Sequence, residues 1–398
     1  MGKWEKVKLG NHISQLRGVS YRPDEVSNIE TSIHMPIIRA HNIQMEGLNT
    51  NNLVFVDKNR IKEHQYIKQD DIIICASSGS KELVGKAAQA KKNMRASFGA
   101  FCKVVRAKDT INAKYLKHYF LSTEYRYVIS HLSEGANINN LRSEHINELL
   151  IPLPPLDIQK KIAAALDTAN ALIEKRKEQI EKLDLLIKSQ FIEMFGDPVT
   201  NPKGWEIKRL GALTNKITDG VHQKPIYTTY GVPFISVANI NKGVLNFDDC
   251  KFVSEEDYLK MTKSVKPEQG DILYTKVGAT YGIPAFIDTD KRFCLYVSVC
   301  LIKPISELIN ARFLAISMSM PYIKRQADER IRGIGVPDLH LNQISEFNIC
   351  VPKRVEQEEF VQFVEQVETQ KALLKKSLAD MEQNYQSLLQ KCFKGEIF

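Results

Sequence analysis

The chain has 398 residues, 43% hydrophobic and 26% charged, which is the composition of a soluble globular protein with more than one hydrophobic core. Its net charge of +8 permits a polyanionic partner without requiring one. Seven scattered cysteines, with no Cys-x-x-Cys and no Cys/His cluster at zinc spacing, argue for reduced thiols and against a disulfide framework or structural zinc. No signal peptide and no bilayer-length apolar run is seen, so a cytoplasmic protein is expected, away from any membrane.

In chain order, the first third holds short runs rich in Ile, Val and Phe, at 35–38, 53–56, 71–75 and 100–105, bounded by Gly, Asn and Pro. These read as strands of a compact, curved sheet. Residues 113–131 read as one helix, and 144–149 as another. From 157 to 195 no Gly or Pro occurs, and Ile162, Leu166, Ala169, Ile173, Arg176, Ile180, Leu183, Ile187, Gln190 and Met194 alternate at steps of four and three. That is the seam of a helix packed along another helix, about 58 Å long. Gly196-Asp197-Pro198 stops it.

The chain then starts again. Trp4-Glu5-Lys6-Val7-Lys8-Leu9-Gly10 returns as Trp205-Glu206-Ile207-Lys208-Arg209-Leu210-Gly211, and Asp71-Ile72-Ile73 returns as Asp271-Ile272-Leu273. Ile111-Asn112-Ala113 returns as Ile309-Asn310-Ala311, and Gln159 as Gln357. Strands are expected at 234–237, 271–274 and 296–302, and a helix at 311–325. A second seam follows through Phe360, Val364, Val367, Lys371, Leu374, Leu378, Met381, Tyr385, Leu388 and Cys392. The offset drifts only from 201 to 198, so two copies of one fold share a frame. The helices could serve ordinary dimerisation or pair within the chain; the globular segment between them favours an antiparallel intramolecular pair.

Catalytic signatures are missing. The segment from Gly79 to Ala87 has five residues between its glycines, where a P-loop has four, and Ala87 stands where Mg²⁺ needs a hydroxyl. No Asp/Asn-Pro-Pro-aromatic tetrapeptide and no Asp…Glu-x-Lys set occurs. What remains are polar loops after strands, at matching places in the two copies. In the first copy the candidate binding residues are Arg17, Tyr21, Arg22, Arg39, His41, Asn42, Ser78 and Lys81. In the second they are His222, Gln223, Lys224, Asn239, Lys276, Thr280, Tyr281, Arg330 and Arg332. Such side chains read base edges and hold phosphates, although each loop taken singly also reads as a solubilising turn.

In its opening Trp-Glu…Leu-Gly motifs, Gly270-Asp271-Ile272-Leu273, the Ile151-Pro152-Leu153-Pro154-Pro155-Leu156-x-x-Gln159 and Ile349-Cys350-Val351-Pro352…Gln357 stretches, and Met194-Phe195-Gly196-Asp197-Pro198, the whole chain resembles the specificity subunits of type I restriction–modification systems. It departs from the pattern at Asp70, where the second half has Gly270. The resemblance implies an α+β fold with two pseudo-repeated globular target-recognition domains, each followed by a long helix, the helices forming an antiparallel coiled coil. Residues 1–154 would be the first domain, 155–196 the first helix, 197–352 the linker and second domain, and 353–398 the second helix. It implies a non-catalytic subunit that reads one asymmetric bipartite site in double-stranded DNA, one half per domain, with the helices as a ruler between them. Two methylation subunits would methylate adenine N6 and two restriction subunits would drive ATP-dependent cleavage. S-adenosylmethionine, ATP and Mg²⁺ would then sit on those partners and no cofactor or metal on this chain. A stand-alone methyltransferase–nuclease and a tandem-repeat scaffold that binds no DNA are the competing readings.

Overall fold

Each repeat is tied shut where it begins and ends. In the computed structural model, which describes residues 3–44, 47–134, 140–241, 243–331 and 335–398, Lys6–Lys8 pairs antiparallel with Leu150–Pro152. Glu206–Arg209 pairs in the same way with Asn348–Val351. Between these clasps lies a four-stranded antiparallel sheet in each copy. Its order is Ile13–Arg17, Cys102–Ala107, Ile72–Cys75, Ala87–Gln89, and in the second copy Thr214–Asp219, Val299–Pro304, Ile272–Thr275, Pro284–Phe286. Every residue of Ile72–Cys75 and of Ile272–Thr275 is buried. A strand covered on both faces reads as a continuous apolar run instead of alternating. Ile72 and Ile74 pack into one core with the helices, while Ile73 and Cys75 face a second core.

That second layer corrects the expectation of one curved sheet. His34–Ile38 forms a separate three-stranded sheet between Val54–Asp57 and Ser97–Phe98, and Val232–Ile235 does so between Lys251–Val253 and Cys294–Leu295. The runs are too short to span a single sheet, and a centre buried on both faces needs a cover. The last strand of the large sheet also starts later than expected, at Cys102 and Val299, after tight turns closed by Cys102 N–H to Gly99 O (2.8 Å) and Val299 N–H to Tyr296 O (2.9 Å).

The helices expected at 113–131 and 311–325 are each broken in two. The first copy has α1 (Ala113–Phe120), α2 (Thr123–Glu134) and α3 (Ser143–Asn147). Ser122 makes the break, its hydroxyl donating to Tyr119 O (2.7 Å) while accepting from Tyr125 N–H (3.2 Å) as a new N-cap. After the long helix α4 (Leu156–Phe195), the second copy has α5 (Glu255–Met261), α6 (Ala311–Met318), α7 (Pro321–Arg330) and α8 (Leu341–Ser345), followed by α9 (Arg354–Lys394). Pro321 forces Met320 into an extended conformation, ending α6 and opening α7.

Asp70 and Gly270 share one role, which removes the anomaly between the copies. Both have a left-handed backbone, φ 69° and 92°, immediately before the buried strand. Asp tolerates that region better than most residues with a side chain. The next residue anchors the turn: Asp71 accepts from Lys68 N–H and pairs with Arg106 at 2.7 Å, and Asp271 accepts from Glu268 N–H and pairs with Lys303 at 2.6 Å.

Two buried glutamines attach the long helices. Gln159 accepts from Asn112 N–H and donates to Pro154 O, both at 2.8 Å. Gln357 does the same with Asn310 N–H and Pro352 O, again at 2.8 Å. Asn112 and Asn310 in turn cap α1 and α6, so each amide joins the start of a long helix to the start of a domain helix.

By spatial contact the chain forms two units, Met1–Glu178 with Lys375–Phe398, and Gln179–Leu374. In the first, Ile162, Leu166 and Ile173 of α4 share a core with Tyr385, Leu389, Cys392 and Phe393 of α9 and with Tyr115 and Tyr119 of α1. In the second, Phe191 and Phe195 of α4 meet Phe360 and Val364 of α9, with Phe360 5.6 and 5.4 Å from the two rings. Within either unit, the early part of one helix meets the late part of the other, so the pair is antiparallel and intramolecular. Val367 is buried as well, while Ile180, Leu183, Ile187, Leu374, Leu378 and Met381 are half-buried along the seam. The polar seam residue Lys371 pairs with Asp184. Toward the helix ends the buried stripe steps off the heptad. Phe191 and Phe195 replace Gln190 and Met194, and Leu389 is more buried than Leu388. A 3.6-residue helix drifts against a 3.5 repeat, and there each helix also faces a domain core.

The first unit buries one ionisable network. His118 is fully enclosed, its Nδ1 2.9 Å from the Tyr385 hydroxyl and its Nε2 2.9 Å from Asp167, with Lys117 and Lys114 also beside Asp167. Burial holds the His118 pKa below its ordinary 6.5, outweighing Asp167, which pulls it up. A neutral ring that donates to Asp167 and accepts from Tyr385 satisfies both nitrogens.

Gln159→Ala is expected to strand the Asn112 N–H and Pro154 C=O, lowering the urea midpoint of the first unit by the equivalent of about 2–3 kcal/mol. Gln357→Ala should do the same to the second unit. Because the unfolded chain binds the His118 proton more readily, the first unit should hold full stability above pH about 6.5 and lose part of it as pH falls through that value. His118→Gln should flatten the difference between urea midpoints measured at pH about 7.5 and 5.5.

Candidate nucleic-acid interface

The polar loops leave the domains through a close backbone crossing. Val19 pairs in parallel with Gly99, and Val221 with Tyr296. A Cβ on Gly18 would lie 2.1 Å from Gly99 O, and one on Gly220 2.3 Å from Leu295 O, so only glycine lets the two strands touch. The crossing brings loops 17–22 and 219–224 beside the turns that open the last strand of each large sheet.

Hydrogen bonds fix the equivalence of the two edges. Ala76 N–H donates to Phe101 O as Lys276 N–H does to Ser298 O, and Leu141 N–H donates to Ala76 O as Leu339 N–H does to Lys276 O. Arg17 faces Lys103 across the ladder, where Asp219 faces Cys300. Ser77 bridges Asn140, and Val277 bridges Asp338. Positions 17, 76, 101, 103 and 140 of one edge therefore correspond to 219, 276, 298, 300 and 338 of the other.

Their chemistry is opposite. The first edge is cationic and aromatic: Arg17 is exposed, Lys103 is half-buried with its ammonium on the Ser143 hydroxyl (2.6 Å), and Phe101 stands 70% exposed at the turn. Burial and then the nearby Arg17 hold the Lys103 pKa down against the pull of Glu144. The second edge is acidic. Lys276 is buried between Asp219 (3.5 Å) and Asp338 (3.4 Å), and burial pushes the Asp219 carboxyl above its ordinary range, against Lys276 and His222. Asp219 Oδ1 and Ser298 Oγ are buried without a hydrogen-bond partner.

Around the first edge stand Tyr21, half-buried against Gly99, and Arg39, which donates to Asn52 O (3.2 Å) and acts electrostatically on Tyr21. Ser78 accepts from Ser80 N–H, while Arg22, His41 and Lys81 are exposed. In the second copy His222, Gln223, Lys224 and Thr280 are exposed. Several expected contacts are occupied inside the fold. Asn42 is fully buried, accepting from Arg39 N–H and donating to Asn49 O and Asn51 O, and the buried Asn239 accepts from Ser236 N–H. The Asn42 amide thus pins a one-turn helix to the hairpin that follows it, while the Asn239 oxygen closes the corresponding one-turn helix. Arg330 is spent on Gln326 O and Glu346 O over the Phe347 ring, and Tyr281 on Asp328 and the Lys324 ammonium. Arg332 lies outside the described residues. A reading confined to basic and amide side chains in the loops passes over Phe101, Asp219 and Asp338 by type, and over Lys103 within a strand and Asn140 ahead of a helix by place; an aromatic straight after Gly99-Ala100 is a sequence signal for the first of them.

Among the described residues, no group of three or more His, Cys, Asp or Glu is placed to hold a metal, and no helix is long and apolar enough to cross a membrane.

Comparison with known proteins gives a consistent result. The specificity subunit of the type I restriction enzyme EcoKI from Escherichia coli K12 is 29% identical over 416 residues, covering 99% of this chain and 89% of that protein. The StySPI specificity subunit of Salmonella potsdam is also 29% identical, over 99% of this chain and 89% of its own. In fold, the chain resembles the type I restriction–modification S subunit from M. genitalium, with a TM-score of 0.53 at 16% identity, covering 98% and 96% of the two chains. A chain from an assembled type I system aligns with a TM-score of 0.58 at 18% identity, over 100% and 98%. The family described as type I restriction modification DNA specificity domain matches twice, over residues 1–182 and 202–383. The chain belongs to that family and carries its domain in duplicate.

Proposed function

We propose that this chain is the address-reading subunit of a type I restriction–modification complex, with residues 1–154 and 201–352 each reading one half of an asymmetric bipartite DNA site. The observation that carries the asymmetry is the pair of edges: one backbone frame presents Arg17, Lys103 and Phe101 in one copy and Asp219, Lys276 and Asp338 in the other. Arginine pairs bidentately with guanine O6 and N7, and a carboxylate accepts from cytosine N4, so the two edges suit different bases. Arg22, His41 and Lys81 in the first copy, and His222, Gln223, Lys224 and Thr280 in the second, are exposed and would serve as phosphate or base contacts. The chemistry belongs to partners: two methylation subunits carrying S-adenosylmethionine, and two restriction subunits using ATP and Mg²⁺, in the cytoplasm where the DNA is.

Expression with the methylation partner from the same genome, followed by mapping of N6-methyladenine, should return one bipartite motif with a fixed gap. A single continuous motif would mean that one copy alone reads DNA, and no sequence-specific methylation from an intact complex would defeat the proposal. Arg17→Ala with Lys103→Ala should relax one half-site only, by about 1–3 kcal/mol per base pair contacted, and flatten the salt dependence of binding. Asp219→Asn should alter only the other half; a change in both halves from either variant would sink the edge assignment.

A further inference from the structure

The duplicated fold repeats a groove that the linker fills in the second copy and that is open among the described residues of the first. In the first unit an apolar groove of about 910 Å³ is lined by Trp4, Thr123, Tyr127, Pro152, Leu389 and Phe393, with Tyr127 65% exposed. Register identifies its counterpart in the second unit, since Lys6 pairs with Pro152 as Ile207 pairs with Cys350. There the linker after α4 lies over the site. The Pro198 carbonyl is 3.8 Å from Cys350 Sγ, and Pro202 sits against Gly196. Lys203 donates to Glu193 O (2.9 Å) and Met194 O (2.7 Å), and the Trp205 indole N–H donates to Phe195 O (3.0 Å). Cys350 is consequently 4% exposed. In the first unit Gly395 and Lys3 lie against the matching Trp4, whose indole N–H is buried and lacks a hydrogen-bond partner, and the groove beside them stays open. Its rim carries Lys394 and the Lys6–Glu124 ion pair, closed at 2.6 Å.

We propose that this groove receives an extended, proline-interrupted segment of the methylation subunit, as Pro198 and Pro202 interrupt the linker of the second unit. The second unit shows the fit of such a segment. The assignment rests on the reading that the chain works in a complex with that partner. Extended proline-bearing peptides dock into aromatic-walled grooves with little ordering cost, because their backbone is already restricted.

The test places a photo-crosslinking benzoylphenylalanine at Tyr127 in the complex co-expressed with its genomic methylation partner, and maps the crosslinked peptides by mass spectrometry. One proline-bearing segment of the methylation subunit is the expected product. Crosslinks to this chain's own residues 1–2 or 396–398, or none from a complex that still assembles and methylates its motif, would overturn the groove assignment and leave the specificity role standing. As a second variant, Thr123→Trp fills the groove from its exposed rim and should weaken partner binding at least tenfold without moving the urea midpoint or the motif methylated. Unchanged binding would overturn the proposal. Absence of any methylating complex would defeat the specificity reading, and the groove's occupant with it.

Discussion

The architecture depends on one amide used twice. Gln159 and Gln357 each sit at about 1% exposure, bonded on both sides to backbone groups that no other side chain satisfies. Buried polar groups are tolerated only when paired, and a pair of backbone partners on different elements makes the amide a geometric fixture. It sets where a forty-residue helix leaves its domain. A hydrophobic contact in the same place would allow sliding; a two-sided hydrogen bond does not. This is the physical content of the Pro…Gln motif in both halves, which on the page of letters is only a repeat.

What the sequence made legible was periodic. The duplication, the heptad seam, the buried centre strand and the clasp opening at Trp4 and Trp205 all leave spacing signals that survive without coordinates. The breaks at Ser122 and Pro321 are written in the letters too, but the helical stripe on either side masks the cap that interrupts it. The division into two sheets was not legible, because a continuous apolar run says that a strand is covered on both faces and not by what. At the candidate interface, residue type misled. Asn42 has the side chain of a base reader, yet its amide is consumed by the hairpin it holds. Conversely, Asp219 and Phe101 gain their prominence from a crossing made possible by Gly18 and Gly220, a contact between segments about 80 residues apart.

The two edges illustrate how a duplicated frame separates constancy from variation. Hydrogen bonds from the strand ends involve backbone atoms, so they place positions 76 and 276, or 101 and 298, without regard to side chain. Arg can therefore stand opposite Lys in one copy and Asp opposite Cys in the other within the same backbone ladder. The acidic edge does retain a cost, since Asp219 carries an unpaired buried oxygen and a pKa raised by desolvation. Such unsatisfied groups in a native structure call for an explanation, and an incoming hydrogen-bond donor would provide it.

The two units are also unequal in how the chain writes them. Gln179–Leu374 is one continuous stretch, whereas the first unit needs both Met1–Glu178 and Lys375–Phe398. On the ribosome the continuous unit has all its parts once residue 374 has emerged. The other must wait, with Tyr115, Ile162 and Leu166 lacking the cover that Tyr385, Leu389 and Phe393 supply. Chains that expose such surface during synthesis are aggregation-prone until the last element arrives. The half translated first is the half finished last, and it is there that chaperones would be needed.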